Sequence, residues 1–200
     1  MDYVGRFAPS PTGPLHYGSL VAAVASFLDA RHAGGKWLLR IEDLDPPRES
    51  IDAPREIIRQ LLALGLHWDL EVLCQSSRLK SYDDALESIQ AFTFPCTCSR
   101  KAVPDIYPGT CRLRKHLAPG GPYAVRLQVP RHSVSINDRC LGLQTWDLEK
   151  EVGDFIIKRK DGLHAYQLAV VVDDIHYSVS HIVRGNDLLD STPRQLALYE

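Results

Sequence analysis

The sequence predicts an α/β domain built on a parallel sheet, and three observations lead there. Short apolar runs alternate with segments of helical periodicity through the first half of the chain. An early strand ends in a proline- and glycine-rich loop that opens straight into a long helix. The second strand, WLLRI at 37–41, is nearly all apolar, as a strand covered on both faces must be. With 200 residues, the chain is long enough for one such domain and a small appendage.

Taken in order, DYVGRF (2–7) reads as the first strand. The loop FAPSPTGPLHYGSL (7–20) follows. Pro9, Pro11 and Pro14 stiffen it, while Gly13 and Gly18 allow close backbone approach. From Ser19 to His32 the apolar positions Leu20, Val21, Val24, Phe27 and Leu28 recur at helical spacing, and Gly34 and Gly35 are expected as left-handed caps. After the 37–41 strand, a second helix is expected from about Ala53 to Leu64, carrying Ile57, Ile58, Leu61, Leu62 and Leu64. Strand, helix, strand, helix is the opening of a doubly wound fold. Residues 81–91 suggest a further helix.

From Phe94 to about Pro122 the composition turns to cysteine, proline, glycine and basic residues. AVRLQV (124–129) and SINDRCLGL (135–143) then alternate like antiparallel strands, which places an inserted subdomain at 95–150 between segments 1–94 and 151–200. FIIKR, AYQLAVVVDD and HYSVSHIVRG return to α/β character, with Arg184 expected at a strand end. Ser191-Thr192-Pro193 marks a helix start.

A formal charge of −2 argues against a general nucleic-acid coat protein, which would be strongly basic. A local basic patch is still available: Arg100, Lys101, Arg112, Arg114 and Lys115 lie within sixteen residues with one acid, Asp105. A solvated surface is the plainer reading of it. No apolar run reaches the ~18 residues of a membrane span, and MDYVGRFAPS lacks the layout of a signal peptide, so a cytoplasmic protein without membrane contact is expected. Five cysteines in a cytosolic chain argue against a disulfide framework. Three of them, Cys96, Cys98 and Cys111, crowd into sixteen residues and read as a metal site, or else as three buried thiols. Cys74 and Cys140 read as ordinary core or surface residues.

Parallel sheets bind ligands at the carboxyl ends of their strands. Arg6 to Ser10, Glu42 in RIEDLD and Arg184 in HIVRGND offer charged groups at three strand ends. His16, Gly18 and Ser19 stand where a helix N-terminus exposes free N–H groups, a setting suited to phosphate, although simple capping would also explain His16. Neither GxGxxG nor GxxxxGK[ST] is present.

With PSPTGPLHYGS, RIEDLD and IVRGNDLLDSTPRQLALYE in that order, the chain resembles the class I aminoacyl-tRNA synthetases of the glutamyl type, over nearly all its length. The resemblance implies a Rossmann-like catalytic domain with an inserted zinc-binding α+β subdomain. Within the group it is nearest to short members that lack an anticodon-binding domain. AYQLAVVVDD and the pattern Cys96-x-Cys98-x8-Tyr107-x3-Cys111 favour them. That implies ATP-dependent activation of L-glutamate as glutamyl-adenylate, then transfer to the queuosine base at the anticodon of tRNA(Asp), by a monomer. Arg6 and Arg184 are then assigned to carboxylate recognition, Glu42 to the ammonium group, Phe7, Ala8, Pro9 and Ser10 to the pocket wall, and Tyr166 to a hydrogen bond with the substrate. His16, Gly18 and Ser19 are assigned to the ATP phosphates, with Mg²⁺ accompanying ATP. One Zn²⁺ is implied on Cys96, Cys98, Cys111 and Tyr107, with His116 a rival fourth ligand.

The KMSKS-like signature of the family has no counterpart between 185 and 200, and the chain is expected to end before it. Two rival functions stay open: a catalytic fragment charging the 3′ end of tRNA(Glu), and a non-catalytic, zinc-stabilised RNA-binding module.

Overall fold

The computed structural model describes residues 2–114 and 120–200. Two compact units emerge, Met1–Leu79 with Asp173–Leu189, and Lys80–Val172 with Asp190–Glu200. The insertion expected at 95–150 falls inside the second.

In the first unit, β1 (Val4–Phe7), β2 (Lys36–Ile41) and β3 (Leu73–Cys74) form a parallel sheet in the order β1-β2-β3. Gly5 pairs with Trp37 of β2 and also forms a parallel bridge to His181, so a fourth segment lies on the other edge of β1. The order therefore reverses at β1, and the crevice at its carboxyl end is where an open parallel sheet binds ligands. The strand expected to end at Arg184 is corrected to this single bridge. The Val4 carbonyl accepts both Ser180 N–H and His181 N–H, at 2.9 and 3.2 Å, and the ladder goes no further.

Residues 37–41 of β2 are all buried, as the apolar run predicts. Against β1 and β2 packs α1 (Tyr17–His32), which starts two residues earlier than expected. Its buried stripe is Ala23, Ser26 and Ala30, while the larger Val21 and Leu28 are exposed. Small residues let the helix lie close to the sheet, and Ser26 Oγ there accepts the buried Trp37 Nε1–H at 2.9 Å. The helix caps at Ala33. Gly34 takes the left-handed conformation (φ +64°), whereas Gly35 is needed for a different reason: a Cβ there would lie 2.4 Å from the Tyr3 carbonyl oxygen. From α2 (Ala53–Ala63), Ile57 and Leu61 complete the core around Trp37, Leu39 and Ile41.

The second unit holds α3 from Lys80 onward (Leu79–Ser88 in full) and β4 (Thr93–Cys96), β5 (Ala124–Leu127), β6 (Ser133–Asp138), β7 (Gly142–Asp147) and β8 (Phe155–Lys158). Strands β4, β5 and β8 form one antiparallel sheet in the order β4-β5-β8, and β6 pairs with β7. The strand expected over 135–143 is in fact two strands and a turn. Asp138 Oδ1 accepts the Cys140 and Leu141 N–H groups (2.8 and 2.9 Å) and folds the chain back on itself. AYQLAVVVDD lies in α4 (Tyr166–His176), whose last residues, from Asp173, belong to the first unit. The helix announced by Thr192-Pro193 is α5 (Thr192–Tyr199). Among the described residues no helix is long and apolar enough to cross a membrane.

Candidate active site

The loop after β1 is tied down by its backbone. Glu42 N–H donates to the Pro9 carbonyl (3.0 Å), Ser50 N–H to the Pro11 carbonyl (2.9 Å), and Leu15 N–H to Gln60 Oε1 (2.8 Å). The prolines thus supply both stiffness and free carbonyl acceptors, and Pro9 is joined to the residue that follows β2. Phe7 and Pro9 are buried, Ala8 is half-buried and Ser10 is exposed.

Beside this loop four buried charges meet. Arg6 ends toward Asp174, with Nε and Nη2 donating to its two carboxylate oxygens at 3.4 and 3.3 Å. Arg40 Nη1 donates to Asp174 Oδ1 at 2.5 Å, and its Nε and Nη2 donate to Glu42 Oε1 at 3.3 and 3.1 Å. Burial pushes the Glu42 carboxyl above its ordinary range, against the pull of Arg40 and Arg6. Burial alone would lower the Arg40 pKa, but Glu42 and Asp174 outweigh it and hold Arg40 firmly protonated. Next to this quartet, Asp173 accepts from Gln75 Nε2 (2.8 Å) and Arg78 Nε (2.6 Å).

Arg6 and Glu42 were expected from the sequence. Arg40, Asp173, Asp174, Gln75 and Arg78 were not. A signal existed: Arg40 interrupts an apolar strand and Asp173-Asp174 close an apolar helical run. Charges in such places are paired when buried.

His16 caps α1. Its Nδ1 accepts the Ser19 N–H at 3.2 Å, and Ser19 Oγ lies 3.1 Å from Nε2. Capping was the plain alternative for His16, and it holds here. The imidazole is nonetheless exposed at the start of a sixteen-residue helix with no acid in its first turn, a setting that favours an anion. Gly18 leaves room for the ring, since a Cβ there would stand 3.1 Å from His16 Cε1. Arg184 is half-buried in the irregular stretch after His181, in the first unit; Tyr166, also half-buried, opens α4 in the second.

In the second unit the sulfurs of Cys96, Cys98 and Cys111 all lie within 4.8 Å of one another, with Cys98 and Cys111 at 3.6 Å. Tyr107 Oη is 3.6 Å from Cys96 Sγ and 3.8 Å from Cys98 Sγ, and accepts the Cys111 N–H at 2.8 Å. Tetrahedral zinc with Zn–S of about 2.3 Å spaces its ligand sulfurs by about 3.8 Å, so the donor set fits that ion. Burial raises the Cys96 thiol pKa, but hydrogen bonds from Arg126 and Tyr107 outweigh it and bring it to about 7. Burial and the neighbouring thiols push the Tyr107 phenol up. Arg126 stacks over the Tyr107 ring at 3.9 Å and donates to the Asp154 carbonyl. Asp154 also holds Arg112, next to Cys111, through two bonds of 2.5 and 2.8 Å. His116 lies outside the described residues, as does Lys115. Of the basic patch, Arg112 is thus engaged by Asp154, and Arg100 and Lys101 are exposed.

Known proteins fit this geometry. The family model for the catalytic domain of class I tRNA synthetases (E and Q) matches residues 3–103 and 109–200. The glutamyl-Q tRNA(Asp) synthetase of Pseudomonas fluorescens is 52% identical over 204 residues, spanning 100% of this chain and 68% of that protein. Its counterpart in Pseudomonas paraeruginosa is 53% identical, spanning 100% and 69%. A crystal structure of a glutamate tRNA ligase from Elizabethkingia meningosepticum, in complex with its amino acid, matches with a TM-score of 0.88 at 26% identity, over 100% of this chain but 47% of that one. The chain therefore spans about two thirds of these curated relatives and under half of the solved ligase. A parallel sheet with its charged quartet at the strand ends, a histidine-capped helix after β1 and a match over almost every residue agree: the chain belongs to the class I tRNA synthetases (E and Q), in their catalytic domain.

Proposed function

We propose that this chain activates L-glutamate with ATP and passes the glutamyl group to the queuosine base of tRNA(Asp). The observation that carries the reading is the presence of Arg6 and Glu42 in one buried cluster, linked through Asp174 and Arg40, at the carboxyl ends of β1 and β2. Glutamate bears two carboxylates and one ammonium group, and a site for it needs cations and an anion held out of water. Arg6 and Arg184 serve the carboxylates, Glu42 serves the ammonium group, and Phe7 to Ser10 form the wall. The role of Tyr166 rests on the family resemblance alone.

In the reaction a glutamate α-carboxylate oxygen attacks the α-phosphorus of ATP. The bond to the β-phosphate oxygen breaks and pyrophosphate leaves with the electron pair. Such a step needs positioning and charge neutralisation rather than a protein nucleophile. His16 and the N–H groups of Gly18 and Ser19 meet the phosphate oxygens, the imidazole exchanging its contact with Ser19 for one with phosphate. Mg²⁺ bound with ATP supplies further charge neutralisation.

Cys96, Cys98, Cys111 and Tyr107 hold one zinc ion that stiffens the insertion at 95–150. Transfer to queuosine is favoured over charging of tRNA(Glu) by the names of the Pseudomonas relatives, at about twice the identity of the glutamate tRNA ligase. Titration calorimetry tests the amino-acid half. L-Glutamate is expected to bind, and L-glutamine at least about 30-fold more weakly, because its amide leaves guanidinium charge uncompensated. Equal binding of the two would refute the assignment.

A further inference from the structure

We propose that Arg40 and Asp174 are positioning residues of the amino-acid site. They do not meet the substrate; they hold Arg6 and Glu42 so that each presents one unshared end to a ligand carrying both a carboxylate and an ammonium group. The inference rests on reading Arg6 and Glu42 as the glutamate site.

An atom-by-atom account separates the four residues into two pairs. All three Arg40 nitrogens donate within the quartet, one to Asp174 and two to Glu42. Both Asp174 oxygens accept, Oδ1 from Arg40 and Arg6 and Oδ2 from Arg6. Every side-chain nitrogen of Arg40 and both carboxylate oxygens of Asp174 are thus already engaged inside the quartet. Arg6 and Glu42 differ. Among the described residues no group bonds Arg6 Nη1 or Glu42 Oε2, yet neither atom is among the fully buried polar atoms without a partner, which are Arg126 Nε, Gln167 Oε1 and Gln195 Nε2. Both atoms therefore keep an open side.

Asp174 grips Arg40 at 2.5 Å and Arg6 only at 3.3–3.4 Å. It is anchored on Arg40 and turns Arg6 side-on. That leaves the Nη1/Nη2 end of Arg6 for a carboxylate, the forked geometry guanidinium offers best.

Arg40 also governs the charge of Glu42. The charged groups facing Glu42 are Arg40 from β2 itself, Arg6 from β1 and Asp174 from α4. Arg40 gives it the most relief; Asp174 repels it. Without Arg40, the buried Glu42 would take up a proton and lose its attraction for ammonium. Arg40 would thereby set the preference for an amino acid over the same dicarboxylate lacking the amino group, glutarate.

Binding of L-glutamate and of glutarate is to be measured by calorimetry between about pH 6 and pH 9, with circular dichroism as a fold check. The intact chain and the variants Arg40→Gln and Arg40→Lys are compared. The intact chain should prefer glutamate throughout this range. In Arg40→Gln the ratio should fall about tenfold or more at the acid end and recover as pH rises and Glu42 ionises. Arg40→Lys keeps the charge but not the fork, so it should bind both ligands more weakly, with the parent's ratio at each pH. A merely structural role for Arg40 would weaken both ligands together and leave the ratio alone, so an Arg40→Gln ratio equal to the parent's at every pH overturns the proposal. So does an Arg40→Lys ratio that follows pH as expected of Arg40→Gln, and Arg40→Lys decides alone if Arg40→Gln does not fold. An intact chain with no preference for glutamate over glutarate would instead refute the glutamate site itself, and this inference with it.

Discussion

Replacing Cys111 with alanine should reduce bound zinc from about one ion per chain to near zero. Structural zinc contributes about 10–16 kcal/mol to folded zinc-finger peptides, and a site short of one thiolate loses affinity by orders of magnitude. The damage should stay local. The three thiols and Tyr107 pack with Phe94 and Val103 in a cluster of their own, and no residue of the first unit's core belongs to it. Hydrogen exchange should therefore rise around 95–114 and stay unchanged across β1, β2 and α1. Acid should release the metal in the same way. Zinc needs thiolates, so protons compete with the ion for the cysteine sulfurs as pH falls. Elemental analysis of protein purified without chelator reads the first effect directly, and unchanged zinc in Cys111→Ala would refute the site. A loss of zinc in His116→Ala but not in Tyr107→Phe would assign the fourth ligand to His116.

Arg6→Ala and Arg40→Ala should separate binding from stability. Arg6 touches one protein carboxylate, Asp174, through two long bonds and keeps one end open, so its loss should weaken glutamate binding by about 30-fold to 1,000-fold. Arg40 makes three bonds that hold both buried carboxylates, and its loss leaves Glu42 and Asp174 without their shared cation, a change worth about 3–5 kcal/mol. Urea unfolding should thus rank Arg40→Ala well below Arg6→Ala in stability, while calorimetry on Arg6→Ala still finds a folded chain with little affinity. Equal stability losses for the two variants would contradict this division of labour.

Much of the first unit could be read along the chain because its signals are local. The apolar run of β2 and the helical period of α2 depend on neighbours in sequence, as does the proline that starts α5 in the second unit. The expected apolar face of α1 holds in part: Leu20, Val24 and Phe27 pack on the core, but Val21 and Leu28 are exposed and the fully buried positions are Ala23, Ser26 and Ala30, small residues that periodicity weighs lightly. The hairpin of β6 and β7 was run together as one strand because its turn is made by a side chain, Asp138, that alternation does not register. Of the site, Arg6 and Glu42 stood out at strand ends. Asp174 did not, since its partners lie 134 and 168 residues away along the chain and no short-range pattern joins them. The cysteine cluster was legible because its three thiols sit within sixteen residues.

The most direct test of the account offers the chain labelled L-glutamate, ATP and Mg²⁺ together with tRNA(Asp) prepared with and without queuosine, and tRNA(Glu) in parallel. Label is expected on queuosine-bearing tRNA(Asp) alone, held through the anticodon fragment after nuclease digestion, with the other two tRNAs blank. Label at the 3′ end of tRNA(Glu), equal label on both forms of tRNA(Asp), or no label on any of them would contradict the proposed function.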